Sequence, residues 1–208
     1  MNLRPALLIF ALLPSCAFRP ASEAVTLSPL VFPWSPRPAP KTQVRLKTDA
    51  AYFLFEFDVE DSDLVIAKEW TGESTLDAED RVEIFFAADA ALHHYYCIEI
   101  DPLGRVHDYA ASHYRKFESA WNCPGLKTTA KRTTTGYEVS GSLPLETLSA
   151  LCGRPVVGGT ELWVGLFRAD FYGATRGEAA ENWLSWVRPT TKTPDFHVPS
   201  AFRLLPLP

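Results

Sequence analysis

No apolar run in this sequence reaches the roughly 20 residues a membrane span needs, which excludes a multi-pass membrane protein. A basic excess is also missing: 20 Lys and Arg face 25 Asp and Glu, giving a formal net charge of -5 and a pI near 5.5. Duplex-binding proteins carry the opposite balance to neutralise phosphates, so nucleic acid is not an expected partner. Methionine occurs only as Met1. There is no GxSxG elbow, no Walker A loop and no HExxH pair. His93 and His94 are adjacent, so on a strand they point to opposite sides and do not share a metal. Cysteine is scarce and forms no CxxC. Beyond Cys16, the odd set Cys97, Cys123 and Cys152 cannot complete a disulfide framework. Cys97 alternates within an apolar strand as a small core residue. Cys123 and Cys152 are candidates for one bridge in an oxidising compartment.

Aromatics and proline are plentiful, with six Trp, seven Tyr, thirteen Phe and 17 Pro. The hydrophobic share of 47% and charged share of 22% are those of a globular chain, not a disordered or collagen-like one. Aromatic-rich, proline-rich and methionine-poor composition suggests short strands and turns rather than a helical bundle. The 208 residues fit a single domain.

Residues 1–24 read as an export signal: Arg4 is the positive start, Ala6 to Leu13 an apolar stretch too short to span a bilayer, and small residues follow. Leu13-Pro14-Ser15-Cys16 resembles a lipobox, whose cleavage would leave Cys16 acylated as a lipid anchor. Cleavage after Ala17 or Ala24 fits as well. The expected location is therefore periplasmic, extracellular or on the cell envelope as a lipoprotein, with residues 25–208 as the mature domain. Ser28 to Lys41 carries five prolines and predicts an extended lead-in.

Beyond it, period-2 patterning dominates. Phe53, Phe55, Phe57 and Val59 share one face of a strand over Ala51 to Val59. Val82, Ile84 and Phe86 alternate against Arg81, Glu83 and Phe85. Tyr96, Ile98 and Ile100 alternate against Tyr95, Cys97, Glu99 and Asp101, and Pro102-Leu103-Gly104 marks a hairpin turn into Val106 to Tyr109. Further strands are predicted over Tyr137 to Leu143, Leu162 to Phe171, Leu184 to Val187 and Phe202 to Leu205. Pro144 to Leu151 is the one helix-like piece. The fold class is all-β, an antiparallel β-sandwich with one short helix.

Polar groups inside these apolar strands mark a candidate site. Glu83, Glu99, Arg168 and Asp170 have Phe85, Tyr95, Val164 and Leu166 as neighbours. A sheet face mixing carboxylates, a guanidinium and aromatics suits a sugar, because charged groups bond vicinal hydroxyls and rings stack on C–H faces. The rigid loop Pro189 to Pro199 presents Phe196 and His197 as a binding lip, with a structural hydrogen bond as the other role for His197. Trp183 and Trp186, three apart, face opposite ways on a strand, one toward the core and one outward. Asp58, Glu60, Asp61 and Asp63 cluster after a strand; Asp58, Asp61 and Asp63 are candidate calcium ligands, although the spacing is not that of an EF-hand and a solvated acidic turn explains it better. Glu83 and Glu99, on neighbouring strands, leave a paired-carboxylate glycosidase formally open.

Taken in order, AYFLFEFDVEDSD, DRVEIFF, YYCIEIDPLGRVHDY, Trp121, TTGYEVSGSLPLETL, GLFRADF and NWLSWVRPTTKTPDFHVPSAFRLL resemble the carbohydrate-binding module family 9-like domains, which are DOMON-like sandwiches. The resemblance runs from about Val25 to the end. It implies a non-catalytic β-sandwich that binds an oligosaccharide or polysaccharide, in some members at a chain end between two aromatic rings. Members are often attached to xylanases or other glycoside hydrolases, and some bind calcium. By position, Glu83 matches a sugar-contacting carboxylate, and Phe196 or His197 falls near the second sandwiching ring. Two positions depart from the xylanase-type members: Asp77 stands where the first sandwiching Trp would be, and Ile98 and Glu99 where an Arg would be. Trp70 and Trp121 are candidates for the missing ring. Two other readings stand beside it, the first from the same superfamily. One is a haem-binding electron-transfer domain, which without a usable Met would need His–His ligation from His107, His113 and His197. The other is an envelope interaction protein with a degenerate sugar face.

Overall fold

The computed structural model describes residues 23–172 and 182–208. The expected export signal and Cys16 lie outside them. Among the described residues, twelve strands and one α-helix follow in chain order. They are β1 (Val25–Thr26), β2 (Thr42–Thr48), β3 (Tyr52–Glu60), β4 (Arg81–Ala87), β5 (Tyr95–Ile100), β6 (Val106–Ser112) and β7 (Lys116–Glu118). Then come β8 (Lys127–Arg132), β9 (Gly136–Pro144), α1 (Leu145–Cys152), β10 (Glu161–Ala169), β11 (Trp183–Ser185) and β12 (Arg203–Pro206). One sheet has the order β1-β2-β3-β9-β8 and the other β11-β10-β4-β5-β6-β7, with β12 also on β10; every pairing is antiparallel. The protein is a β-sandwich, as the alternation predicts. Among the described residues no helix is long and apolar enough to cross a membrane.

The main core fills the space between the sheets. Phe53, Phe55, Phe57 and Val59 of β3 face Val82, Ile84 and Phe86 of β4, and Ile98 and Ile100 of β5 join them. The proline-rich lead-in forms no helix, bridges Ser185 at Val31, and drops Leu30 and Phe32 into this core. The predicted helix sits one residue later than its sequence signal. It buries Leu145 and Leu148 and ends on Gly153 at φ 61, the left-handed cap glycine supplies at low cost. Cys97, Cys123 and Cys152 are free thiols, so the Cys123–Cys152 bridge is not formed.

Gly141 on β9 lies opposite Phe55 of β3, with the Phe55 ring over the space a side chain would take. A Cβ at 141 would sit 2.0 Å from Phe55 Cζ. Gly141→Ala is expected to cost about 1–3 kcal/mol through overpacking. Urea denaturation measures it; a cost near zero would show that the Phe55 ring has room to swing.

The seven-stranded sheet is buried on both faces. Its outer face is covered by a strap, residues 189–202, together with Trp34 from the lead-in. Phe196 stacks on Phe167 with centroids 4.0 Å apart, and Phe202 packs on Phe85, Tyr95 and Phe167. Trp34 Nε1 donates to the Thr191 carbonyl at 2.9 Å. These apolar contacts form a second core, which explains why Phe85 and Cys97 are as buried as the residues that point the other way.

Candidate functional site

The strap leaves one part of the outer face uncovered, and a cavity of about 710 Å³ opens there. Strand register builds its floor. Glu83 pairs with Glu99 across β4 and β5, and Glu99 with His107 across β5 and β6, so these three form one row. Arg81, two residues before Glu83, points to the same face, as does Tyr109. The walls are Asp77 from a 3₁₀ turn (Glu73–Ala78), Phe117 from β7, Phe171, Trp183 from β11, and Asp195 to His197 of the strap.

Arg81 organises the floor. Its Nε lies 3.0 Å from Glu83 Oε1 and 2.7 Å from Glu99 Oε2, and its Nη1 donates to the Leu76 carbonyl at 2.9 Å. Its guanidinium carbon stands 5.5 Å from the Trp183 ring centroid, a cation–π distance. Burial opposes the charge, but Glu99 and Glu83 outweigh it and raise the Arg81 pKa above its ordinary value. Burial, reinforced by the Glu99 charge, pushes the Glu83 carboxyl well up. Tyr109 Oη donates to Glu99 Oε1 at 2.8 Å. His107 Nδ1 lies 3.3 Å from Asp77 Oδ1 and 4.0 Å from Glu99 Oε2, and contact with Asp77 raises its pKa despite burial. The buried Trp183 Nε1 has no hydrogen-bond partner among the described residues. The floor therefore offers a cationic donor beside two carboxyl groups, and Trp183 and Phe117 offer aromatic surface beside them.

Glu83, Glu99, Phe196 and His197 all reach this cavity. One face of the Phe196 ring is covered by Phe167. The structure does not bring Arg168, Asp170 or Trp121 there. Arg168 shares the parity of Leu162, Val164 and Leu166 and faces the opposite sheet, where it donates to Thr42 Oγ1 at 3.1 Å and the Glu60 carbonyl at 3.0 Å. Its Nη2 pairs with Asp61 at 2.9 Å and with Asp170. Trp121 packs on Tyr96 at 5.0 Å beside the inner core, and Trp70 lies beneath Arg105. The outer face of β10 carries Phe167, not Arg168, because strand parity shifts the two by one residue.

Calcium ligation by Asp58, Asp61 and Asp63 does not fit. Asp58 sits on the solvent face of β3, opposite the inward Phe57 and Val59. Asp61 Oδ1 accepts the Asp63 amide at 2.9 Å as a turn, while Oδ2 holds Arg168. The carboxylates that gather with Asp61 are Asp80 and Asp170, and the Arg168 guanidinium supplies the positive charge among them. The three histidines that haem ligation would need are not all gathered: His107 lines the cavity beside Asp77, whereas His113 is exposed and does not line it. His197 is wedged among Phe85, Tyr95, Tyr109 and Phe117, with Nδ1 3.1 Å from Tyr95 Oη, so its ring is enclosed by its own packing.

A search of curated protein sequences gives no match. The family model described as "Carbohydrate family 9 binding domain-like" matches residues 21–207. The chain belongs to this family. Three solved structures share the fold of this family 9 domain. A candidate carbohydrate-binding protein from Bacteroides uniformis superposes with a TM-score of 0.68 at 18% identity, covering 88% of this chain and 85% of that one. A family 9 carbohydrate-binding module from Caldicellulosiruptor kristjanssonii in complex with glucose gives 0.60 at 17% identity, covering 86% and 83%. The complex of such a module from that organism with cellotriose gives 0.60 at 16% identity, covering 88% and 81%.

Several cavity residues of the family 9 domain escape a linear reading. Arg81 was detectable, since it shares the parity of Glu83. Trp183 is the outer-facing member of the predicted opposed pair. Trp186 lies against the inner core, its Nε1 reaching Ser28 Oγ. Phe117 and Asp195 carried no signal, because only the fold brings β7 and the strap together.

Proposed function

We propose that this protein is a non-catalytic sugar-binding module whose site is the Arg81–Glu83–Glu99 cavity. The observation that carries this reading is a buried guanidinium shared by two carboxylates at the floor of an aromatic-walled pocket. Such a group presents donors and acceptors at fixed angles to adjacent hydroxyls, while Trp183 and Phe117 receive C–H faces. The cavity falls in the range of small-ligand sites, roughly 300–1,000 Å³. Family membership and the glucose and cellotriose complexes of the Caldicellulosiruptor modules support the ligand class.

The same floor favours binding over glycoside hydrolysis. Glu83 and Glu99 converge on one guanidinium nitrogen. Two catalytic carboxyls must instead flank a scissile bond from opposite sides. We further propose that the module is exported, by the signal at residues 1–24, and contributes to polysaccharide breakdown by holding substrate. Export with acylation of Cys16 would place it on the cell envelope.

Calorimetric titration with glucose, cellotriose and a panel of other oligosaccharides tests the reading. Wild type is expected to bind at least one. Trp183→Ala and Glu83→Gln should each weaken that binding by about tenfold or more, the size of one lost stacking or charged hydrogen-bond contact. Absence of binding to every saccharide, or equal binding by both variants, would overturn it.

A further inference from the structure

Asp77, Glu99 and His107 stand together at the mouth of the cavity. The first comes from the 3₁₀ turn before β4, the second from β5 and the third from β6. One ligand-type atom from each lies within 4.8 Å of the others. The His107 Nδ1 atom is buried and makes no aligned hydrogen bond among the described residues, although two carboxylates lie within 4.0 Å of it. Glu99 Oε2 is equally buried and without an aligned hydrogen bond, on a side chain only 6% exposed.

The geometry suits a small divalent cation. Zinc bonds of about 2.0–2.2 Å to nitrogen and oxygen place neighbouring ligand atoms roughly 3–3.6 Å apart. The 3.3 Å separation of His107 Nδ1 from Asp77 Oδ1 lies within that spacing, and the 4.0 Å separation from Glu99 Oε2 is a short side-chain adjustment beyond it. Glu99 is also held the way metal ligands are held, by outer partners that fix its orientation. Its Oε1 accepts from Tyr109, and its Oε2 faces Arg81 with a second lone pair left over.

We propose that Asp77, Glu99 and His107 form a zinc-type divalent cation site, and that the cation's open positions ligate adjacent hydroxyls of the bound sugar. One imidazole and two carboxylates are the ligand mixture zinc accepts, and three protein ligands leave coordination positions facing the cavity. The second half of the proposal rests on the sugar-binding reading; the first does not.

Titration of the full chain with zinc chloride, followed by calorimetry, tests the site. One zinc per chain is expected. Asp77→Asn and His107→Gln should each weaken it by about tenfold or more. Asp77 is 63% exposed on its side chain, so its variant keeps the fold, which a melting curve verifies. Cobalt provides a second readout: its visible absorption bands should appear with wild type and vanish with Asp77→Asn. No zinc uptake, or uptake unchanged in both variants, would overturn the site. Sugar titrations with zinc and with EDTA then separate the two halves. Stronger sugar binding with zinc, lost in Asp77→Asn, supports the whole. Sugar binding equal in both conditions overturns hydroxyl ligation. Zinc uptake at this site with no sugar binding leaves the cation site standing and removes the sugar reading.

Discussion

Arg168→Met is expected to lower the unfolding free energy by about 3–5 kcal/mol, the usual cost of removing one partner from a buried ion-paired group. The reason lies in what surrounds the side chain. Arg168 is fully buried between the sheets, bonded to Thr42, Glu60, Asp61 and Asp170, with Tyr137 and Asp80 nearby. Methionine fills much of the volume but leaves buried carboxylates facing each other. Burial and the Asp61 charge already push the Asp80 carboxyl up to about 8, and Asp170 stands at about 6. Urea denaturation at neutral pH measures the loss. Adding Asp61→Asn and Asp170→Asn to Arg168→Met should recover part of it, because amides need no counter-charge. A loss under about 1 kcal/mol would mean that water reaches the cluster. The sugar affinity of any variant that stays folded should be unchanged, since Arg168 faces away from the cavity.

Acid should loosen the strap through His197. Burial, then Arg115, hold its pKa down at about 4, with Arg81 adding to them and Asp195 opposing. Tyr95, Tyr109, Phe85 and Phe117 complete its surroundings. An unfolded chain restores a histidine pKa near 6.5. Between those values the unfolded state binds the extra proton, so stability falls as the pH drops. The contribution is present in full above pH 6.5 and is lost progressively toward pH 4, about 2–3 kcal/mol in all after allowance for partial exposure. Carboxyls with raised pKa values, such as Asp80 and Glu83, act in the opposite sense, so the comparison must be made against a variant. Wild type should lose about 2–3 kcal/mol more than His197→Asn between pH 6.5 and pH 4. Parallel pH profiles for the two proteins would dismiss the assignment.

The strand alternation made much of the fold legible. Phe53, Phe55, Phe57 and Val59 are as inward as their spacing predicts, and the Asp101–Arg105 hairpin turn closes on Gly104 as its sequence suggests. Strand β2 gave no comparable signal, because two of its four inward residues are Thr42 and Thr48. Strand β8 has only Ala130 to pack, so its sequence looks like a polar loop. The same principle divides the site. Glu83 and Glu99 could be placed on one face because their strands are neighbours in sequence. Arg168 could not be placed against them, since which parity of β10 faces which layer depends on a sheet order no local pattern encodes. The strap is the other hidden element: its prolines marked a loop, but not that the loop would roof a sheet.

That roof is fastened in an unusual way. Strand β11 hydrogen-bonds along Phe167 to Ala169, and β12 along Glu161 to Val164, so both ends of the strap are stitched to the same side of one strand. The span it must cross is therefore set by β10 alone, not by the relative position of the two sheets. Lengthening such a closed loop costs little, about 0.6 kcal/mol per doubling. The chain can thus vary the length and chemistry of the strap around Asp195, reshaping the cavity wall, as long as Phe196 stays over Phe167 to close the second core. Grafted straps that keep this anchor offer a direct way to change ligand preference while the strands of the sandwich keep their register.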